Sequence, residues 1–137
     1  FEFTGSITPR WEIYSAVAFL DGKIVTATAN QGNKPLGVAD WSGNVWAIYR
    51  PGGGWELGAG VVATDGSYLT DQNNAKIPEY AVLDATVAYV QKKYEIRANF
   101  YNITGKAYYY GGYQNAANRV LPGLPRSAAL TVRYNFD

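Results

Sequence analysis

YEIRANFYNIT, residues 94–104, sets Tyr94, Ile96, Ala98 and Phe100 against Glu95, Arg97, Asn99 and Tyr101. A two-residue period of this kind puts hydrocarbon on one face of a β-strand and charge on the other. Six further stretches alternate the same way: Phe1–Ile7, Trp11–Ile24, Ser42–Arg50, Trp55–Thr64, Tyr80–Val90 and Ser127–Phe136. Most of them are near the roughly 9–11 residues that a tilted strand needs to cross a bilayer.

The connections decide what such strands build. Three are tight, at 8–10, 51–54 and 91–93, and three are long and polar, near 25–41, 65–79 and 105–126. They alternate strictly, so every long loop falls at one end of the sheet. A soluble sandwich has no reason for that segregation, whereas an outer-membrane barrel has short periplasmic turns and longer extracellular loops. The tight turns are therefore expected in the periplasm and the long loops outside.

Beside the tight turns the apolar face ends in Trp11, Tyr49, Trp55, Tyr89, Tyr94 and Tyr134. Aromatic rings at one level mark a membrane–water boundary, where their amphipathic edges are favoured. The polar face then looks into a wet interior. Charge on the lipid face would cost about 2–4 kcal/mol for a base at mid-depth, which excludes most shifted registers. The competing soluble barrel or sandwich, with the apolar face packed inward, would leave that row of rings unexplained.

Composition removes most other classes. The chain has 137 residues, a net charge of +1 and 17% charged residues, below the roughly 25% of a soluble domain. Nucleic-acid binding has no electrostatic support. Cysteine, histidine and methionine are all absent, which removes disulfides, thiolate metal sites and the commonest general base. No catalytic constellation and no metal site is read. No apolar run reaches the roughly 18 residues of a membrane helix.

Seven strands cannot close alone in lipid, because an open sheet leaves two unpaired edges there. Small residues on the polar face, Gly58, Gly60, Thr86, Ala129 and Thr131, suggest a wide lumen facing water or another domain. An eight-stranded barrel would instead be filled by its own side chains. The expectation is an all-β antiparallel transmembrane barrel portion, residues 1–137 forming about seven carboxy-terminal strands of a larger barrel.

Specific wording then appears. WEIYSAVAFLD (11–21), QGNKP (31–35), IPEYAVLD (77–84), ANFYNITGKAY (98–108) and PGLPR (122–126) followed by a strand ending at Phe136 resemble, in the same order, the carboxy-terminal strands of TonB-dependent outer-membrane receptors. NITGK and LPGLPR look most like the catecholate-type siderophore receptors. The resemblance implies a 22-stranded barrel with an amino-terminal plug, here absent. It also implies import of ferric siderophore with energy from the TonB complex, in contact with outer-membrane lipid and lipopolysaccharide. Haem, cobalamin or sugar cargo, or a small stand-alone barrel with a structural or adhesive role, are the alternatives. Family members commonly end on the aromatic residue, whereas here Asp137 follows Phe136.

Candidate ligand contacts lie in the third long loop: Tyr108, Tyr109, Tyr110, Tyr113, Arg119 and Arg126, with Lys106, Gln114, Asn115 and Asn118 nearby. Tyrosine offers stacking and a hydroxyl, arginine a charge for an anionic chelate. No resident cofactor is expected, since iron would arrive already chelated. Glu12, Arg50, Glu56, Asp84, Glu95, Arg97 and Arg133 are expected to face the lumen and the plug. Arg50 and Glu56 flank the 51–54 turn with matching parity and are expected to pair. Asn102 begins a glycosylation sequon that is read only as part of the strand-to-loop motif.

Overall fold

The computed structural model describes residues 1–113 and 119–136. Eleven strands occur among them: β1 (Glu2–Thr8), β2 (Trp11–Phe19), β3 (Trp41–Gly52), β4 (Trp55–Thr64), β5 (Ser67–Tyr68), β6 (Lys76–Ile77), β7 (Tyr80–Val90), β8 (Tyr94–Tyr101), β9 (Tyr109–Gly112), β10 (Val120–Pro122) and β11 (Ser127–Tyr134). Seven form one antiparallel sheet in the order β1-β2-β3-β4-β7-β8-β11. The other four make two small hairpins, β5–β6 and β9–β10, inside the second and third long loops.

The sheet's burial is inverted relative to a soluble sandwich. Leu57, Val61, Val87 and Leu130 are 40%, 39%, 37% and 71% exposed, while Ala88 on the opposite face is 1% exposed. Large aliphatic groups thus cover one face, and packing lies on the opposite face with the charges. An apolar surface of that extent is unfavourable in water and belongs against acyl chains.

The aromatic row forms by register alone. Trp11 pairs with Tyr49, Trp55 with Tyr89 and Tyr94 with Tyr134. Ring centroids lie 4.7 Å apart for Trp11–Tyr49, 5.1 Å for Trp55–Tyr89 and 6.0 Å for Tyr89–Tyr94. At the other end of β2, Phe19 pairs with Trp41. The chain between Trp11 and Phe19 spans about 26 Å along the strand at roughly 3.3 Å per residue, or about 20 Å of height at a tilt of about 40°, within the roughly 25 Å apolar band of an outer-membrane barrel.

Turn chemistry closes the tight end. The Thr8 hydroxyl accepts from the N–H groups of Arg10 and Trp11 at 3.3 and 3.1 Å. Gly52, Gly53 and Gly54 have φ of 113°, 64° and 89°, three successive conformations that only glycine enters cheaply.

Three segments stop earlier than the sequence reading placed them, and β1 and β3 differ from it by one or two residues at each end. β2 stops at Phe19 rather than Ile24, because the chain turns away after Leu20 N–H bonds the Asp40 carbonyl at 2.9 Å. β8 stops at Tyr101, since Asn102 takes φ of 48°. β11 stops at Tyr134. Gly58 and Gly60, two of the small inner-face residues, also have a different cause from the one expected. Trp46, on β3, lies across Gly58 and Gly60, where an added Cβ would meet its ring at 3.0 and 2.1 Å. Those glycines make a slot for an indole, not an open lining.

Candidate functional site

On the inner face at the tight-turn end, acids and bases alternate along one chain of ion pairs. Arg50 Nη1 donates to Glu12 at 2.7 Å and its Nε to Glu56 at 3.1 Å. Glu56 also receives Arg97 Nη2 at 2.9 Å, Arg97 Nε donates to Glu95 at 2.7 Å, and Arg133 Nη1 reaches Glu95 at 3.4 Å. The chain Glu12–Arg50–Glu56–Arg97–Glu95–Arg133 therefore crosses β2, β3, β4, β8 and β11. It also spans β7, where Ala88 pairs with both Glu56 and Arg97. Only a side chain as small as Ala88 lets the Arg97 guanidinium pass over β7 to Glu56. Three acids and three bases compensate one another within the wall.

The expected Arg50–Glu56 pair is present. Asp84 shares the inner face but stands apart from the chain, its Oδ1 accepting the Asn102 backbone N–H at 2.7 Å.

Asn102 is the hub at the base of the third loop. It is 1% exposed. Its Nδ2 donates to the carbonyls of Lys106 and Leu124, both at 2.9 Å, and its Oδ1 accepts the Lys106 N–H at 2.9 Å. A side-chain amide so engaged cannot be a glycosylation acceptor, so the sequon is structural.

The first and second long loops are clamped together by Asn73 and Asp71. Asn73 accepts the Lys34 N–H at 3.0 Å and donates to the Lys34 carbonyl at 2.8 Å. Asp71 Oδ1 accepts the Leu36 N–H at 3.0 Å, and the Asp71 carbonyl accepts Asn33 Nδ2 at 2.9 Å. Lys34 Nζ is also bonded to both Asp40 oxygens, and that hydrogen bonding holds its pKa above the ordinary lysine value. Leu69, buried in the second loop, packs on Gly112 of β9. The three loops are thus one braced assembly rather than separate tethers.

Under this assembly the inner face holds a cavity of about 680 Å³. Asn44, Thr64 and Asp65 line its wall side, Glu2 its flank, and Tyr109 and Tyr110 its loop side. Its charged liners are both acidic. A second cleft, of about 570 Å³, lies at the base of the third loop between Lys106, Tyr108, Tyr109, Leu124 and Arg126.

Hairpin β9–β10 therefore divides the expected ligand residues. Tyr109 and Tyr110 are 44% and 61% exposed and border the inner cavity, and Tyr109 borders the basic cleft as well. Tyr108 is half-buried, its ring 4.5 Å from that of Tyr80 and flat against Gly123. The Arg126 guanidinium lies over Gly105. Tyr113 and Arg119 are exposed at the hairpin's far end, joined by a Tyr113 N–H to Arg119 carbonyl bond of 3.2 Å. Gln114, Asn115, Asn118 and Asp137 lie outside the described residues. Sequence reasoning missed Ser42, Asn44 and Thr64 as cavity liners, although their even-numbered positions on β3 and β4 already placed them on the inner face.

A wall apolar outside and charged within, joined by tight turns at one end and braced loops at the other, defines part of an outer-membrane β-barrel. The match extends to sequence. Residues 1–103 match the family described as TonB dependent receptor-like, beta-barrel, and the chain belongs to it. It is 32% identical to the probable TonB-dependent receptor BfrD of Bordetella pertussis, over 96% of this chain and 19% of that protein. It is 27% identical to the probable TonB-dependent siderophore receptor PiuA of Acinetobacter baumannii, with the same coverage.

The crystal structure of the A. baumannii siderophore receptor PiuA superposes on it with a TM-score of 0.86 at 25% identity, covering 97% of this chain and 20% of that one. The ferric-catecholate import receptor Fiu of E. coli K12, in its closed form, gives 0.79 at 22% identity over 98% and 20%, a likeness of fold. The chain thus spans about a fifth of the length of these relatives. It is part of an outer-membrane barrel, and its relatives are receptors and transporters rather than enzymes.

Proposed function

We propose that the receptor to which this chain contributes imports a ferric siderophore across the outer membrane, with energy delivered through TonB. The plug and the strands that complete the barrel, 22 in the family pattern, are supplied by sequence beyond this segment, which we read as the carboxy-terminal part. The observation that carries the reading is the inner cavity of about 680 Å³ bordered by the exposed Tyr109 and Tyr110 under a braced loop roof. A flat-faced chelate suits stacking on tyrosine rings and hydrogen bonds to their hydroxyls. Iron is cargo here, carried by its chelator, and no resident cofactor is invoked.

Catecholate cargo is the narrower proposal. The wording of residues 102–106 and 121–126 supports it, as do the tyrosines of the third loop. Cations that an anionic catecholate complex would meet lie in the Lys106–Arg126 cleft and at Arg119, while the cavity's charged liners are acidic. On this reading ion pairing serves first capture and stacking serves the deeper position. The six-charge chain faces the space assigned to the plug. Since its members already partner one another, plug movement would leave the wall's own pairing intact.

Uptake of iron-55 by cells that depend on the intact receptor tests the reading. Ferric catecholate is expected to enter, and Tyr109→Ala/Tyr110→Ala to lower apparent affinity at least several-fold. Arg126→Gln should weaken capture in a salt-dependent way. Equal uptake with and without the receptor would remove the transport reading, and preference for a hydroxamate, haem or cobalamin would remove the catecholate one.

A further inference from the structure

The ion-pair chain on the inner face ends at Glu12 and at Arg133, and the two ends have different causes. Each of the four members between them has two ionic partners, whereas Glu12 and Arg133 have one each among the described residues. Beyond Glu12 the sheet continues into β1, where Ser6 stands opposite it and offers no charge. The chain therefore stops inside the wall, with Glu12 held by Arg50 at 2.7 Å. At Arg133 it stops because the sheet does, β11 being the edge strand.

That edge is left bare. All eight residues of β11 are exposed on both faces, and its Leu130 is 71% exposed against 40% for Leu57 on interior β4. Arg133 follows the same trend. Its side chain is 67% exposed against 27% for Arg97, and its bond to Glu95, at 3.4 Å, is the longest in the chain. Lipid offers the free backbone groups of β11 no partner, so an antiparallel strand from sequence beyond this segment must close against it. Alternation alone cannot set the register of that closure, because a slip of two residues keeps every side chain on its proper face. A charge pair on the inner face can, since the same slip moves its members about 7 Å apart along the strand.

We propose that the strand closing against β11 carries an Asp or Glu directly opposite Arg133 on the inner face, and that this pair extends the chain across the junction and fixes the register of closure. Arg133 then lies between two acids, with Glu95 directly opposite on its other side, as Arg50 lies between Glu12 and Glu56. The inference rests on the outer-membrane placement and is independent of cargo.

Urea unfolding of the intact receptor in lipid tests it with substitutions in this chain. In a Glu95→Gln background Arg133 keeps only the acid of the closing strand. Adding Arg133→Gln is then expected to lower the midpoint further, and by less in 1 M salt than at low salt. With Glu95 as the sole partner, the same addition would leave the midpoint unchanged or raise it, which would overturn the proposal. So would Asp137→Asn removing the effect, since the acid would then belong to this chain. A disulfide locates the partner: with Arg133→Cys in place, a second cysteine is moved along the inward positions of the closing strand. The bond is expected where the natural residue is Asp or Glu. A disulfide at a non-acidic position, only to the plug, or at no position in folded receptor contradicts the inference. Heat-modifiable mobility identifies the folded variants, and the glutamine series keeps the test open should a cysteine pair block assembly.

Discussion

The two ends of the inner wall are built on different principles. At the tight-turn end, six charges of alternating sign on five strands satisfy one another along one chain of ion pairs. At the outer end, the wall gives way to a cavity whose polar groups come from strand tips and loops far apart in sequence. Strand register places the first set, and loop-to-loop hydrogen bonding places the second. The charged end should therefore survive any change of cargo, while the outer end can be retuned by altering loops without disturbing the wall.

The largest break in this comparison lies between the two ends, where Trp46 occupies the Gly58–Gly60 slot. A Cβ at Gly60 would come within 2.1 Å of the Trp46 ring and 2.7 Å of the Val45 carbonyl. Gly60→Val should cost more than the roughly 1–3 kcal/mol of ordinary overpacking, since backbone as well as side chain must move. Loss of most heat-modifiable receptor from the outer membrane is expected. Adding Trp46→Ala should recover part of it, because only the ring clash is relieved.

Next in size is Asn102→Ala, which strips three hydrogen bonds from a buried position. Lys106 and Leu124 are exposed, so water takes up part of the lost bonding, and the local loss is about 1–3 kcal/mol. The wall should still assemble, because the strands do not depend on this residue. Trypsin should gain access at Lys106 and Arg126, and uptake should fall. Asn102→Asp should fail similarly, since a carboxylate would face two carbonyl oxygens in place of a donor.

Glu56→Gln probes the charged end. Arg50 keeps Glu12 and Arg97 keeps Glu95, so neither cation is stranded. Because these pairs are partly solvated, the loss should be about 0.5–1.5 kcal/mol, read as a lower midpoint in urea unfolding. The gap between wild type and variant should narrow in 1 M salt. Glu12→Gln, at the end of the chain with a single arginine partner, should cost less.

These contrasts follow what the sequence made legible. Period-two alternation placed the strands, the lipid face and the charged face, because each depends only on a residue's parity and its nearest turn. The Arg50–Glu56 pair was readable for the same reason, its partners flanking one short turn. Arg97–Glu56 was not, since it needs the register of three strands and the smallness of Ala88 between them. Gly58 and Gly60 suggested open space because nothing local indicates that Trp46, on the adjoining strand, lies across them. The loops were least legible. Asn33–Asp71 and Lys34–Asn73 join residues 38 and 39 apart, and no local pattern encodes such a meeting. Tyr108 looked like its neighbours Tyr109 and Tyr110 until its ring was found against Gly123.

The smallest expected effect tests whether loop bracing is electrostatic as well as geometric. Lys34, outside the membrane, has its pKa raised first by hydrogen bonding to Asp40 and further by that carboxylate's charge. A lysine that binds its proton more tightly when folded stabilises the fold fully below the ordinary value of about 10.4. That contribution is lost as pH rises through the higher folded value. Loop order should therefore be constant between pH 5 and 9 and decline only above about 10.4. A spin label at Thr28→Cys, in a chain with no cysteine of its own, reports this as mobility. Lys34→Gln should show at pH 7 the mobility that the wild type reaches only in alkali. If label mobility in Lys34→Gln matches the wild type at every pH, the Asn73 and Asp71 hydrogen bonds hold the loop alone, and the outer end, like the wall, is placed by backbone geometry with its charges incidental.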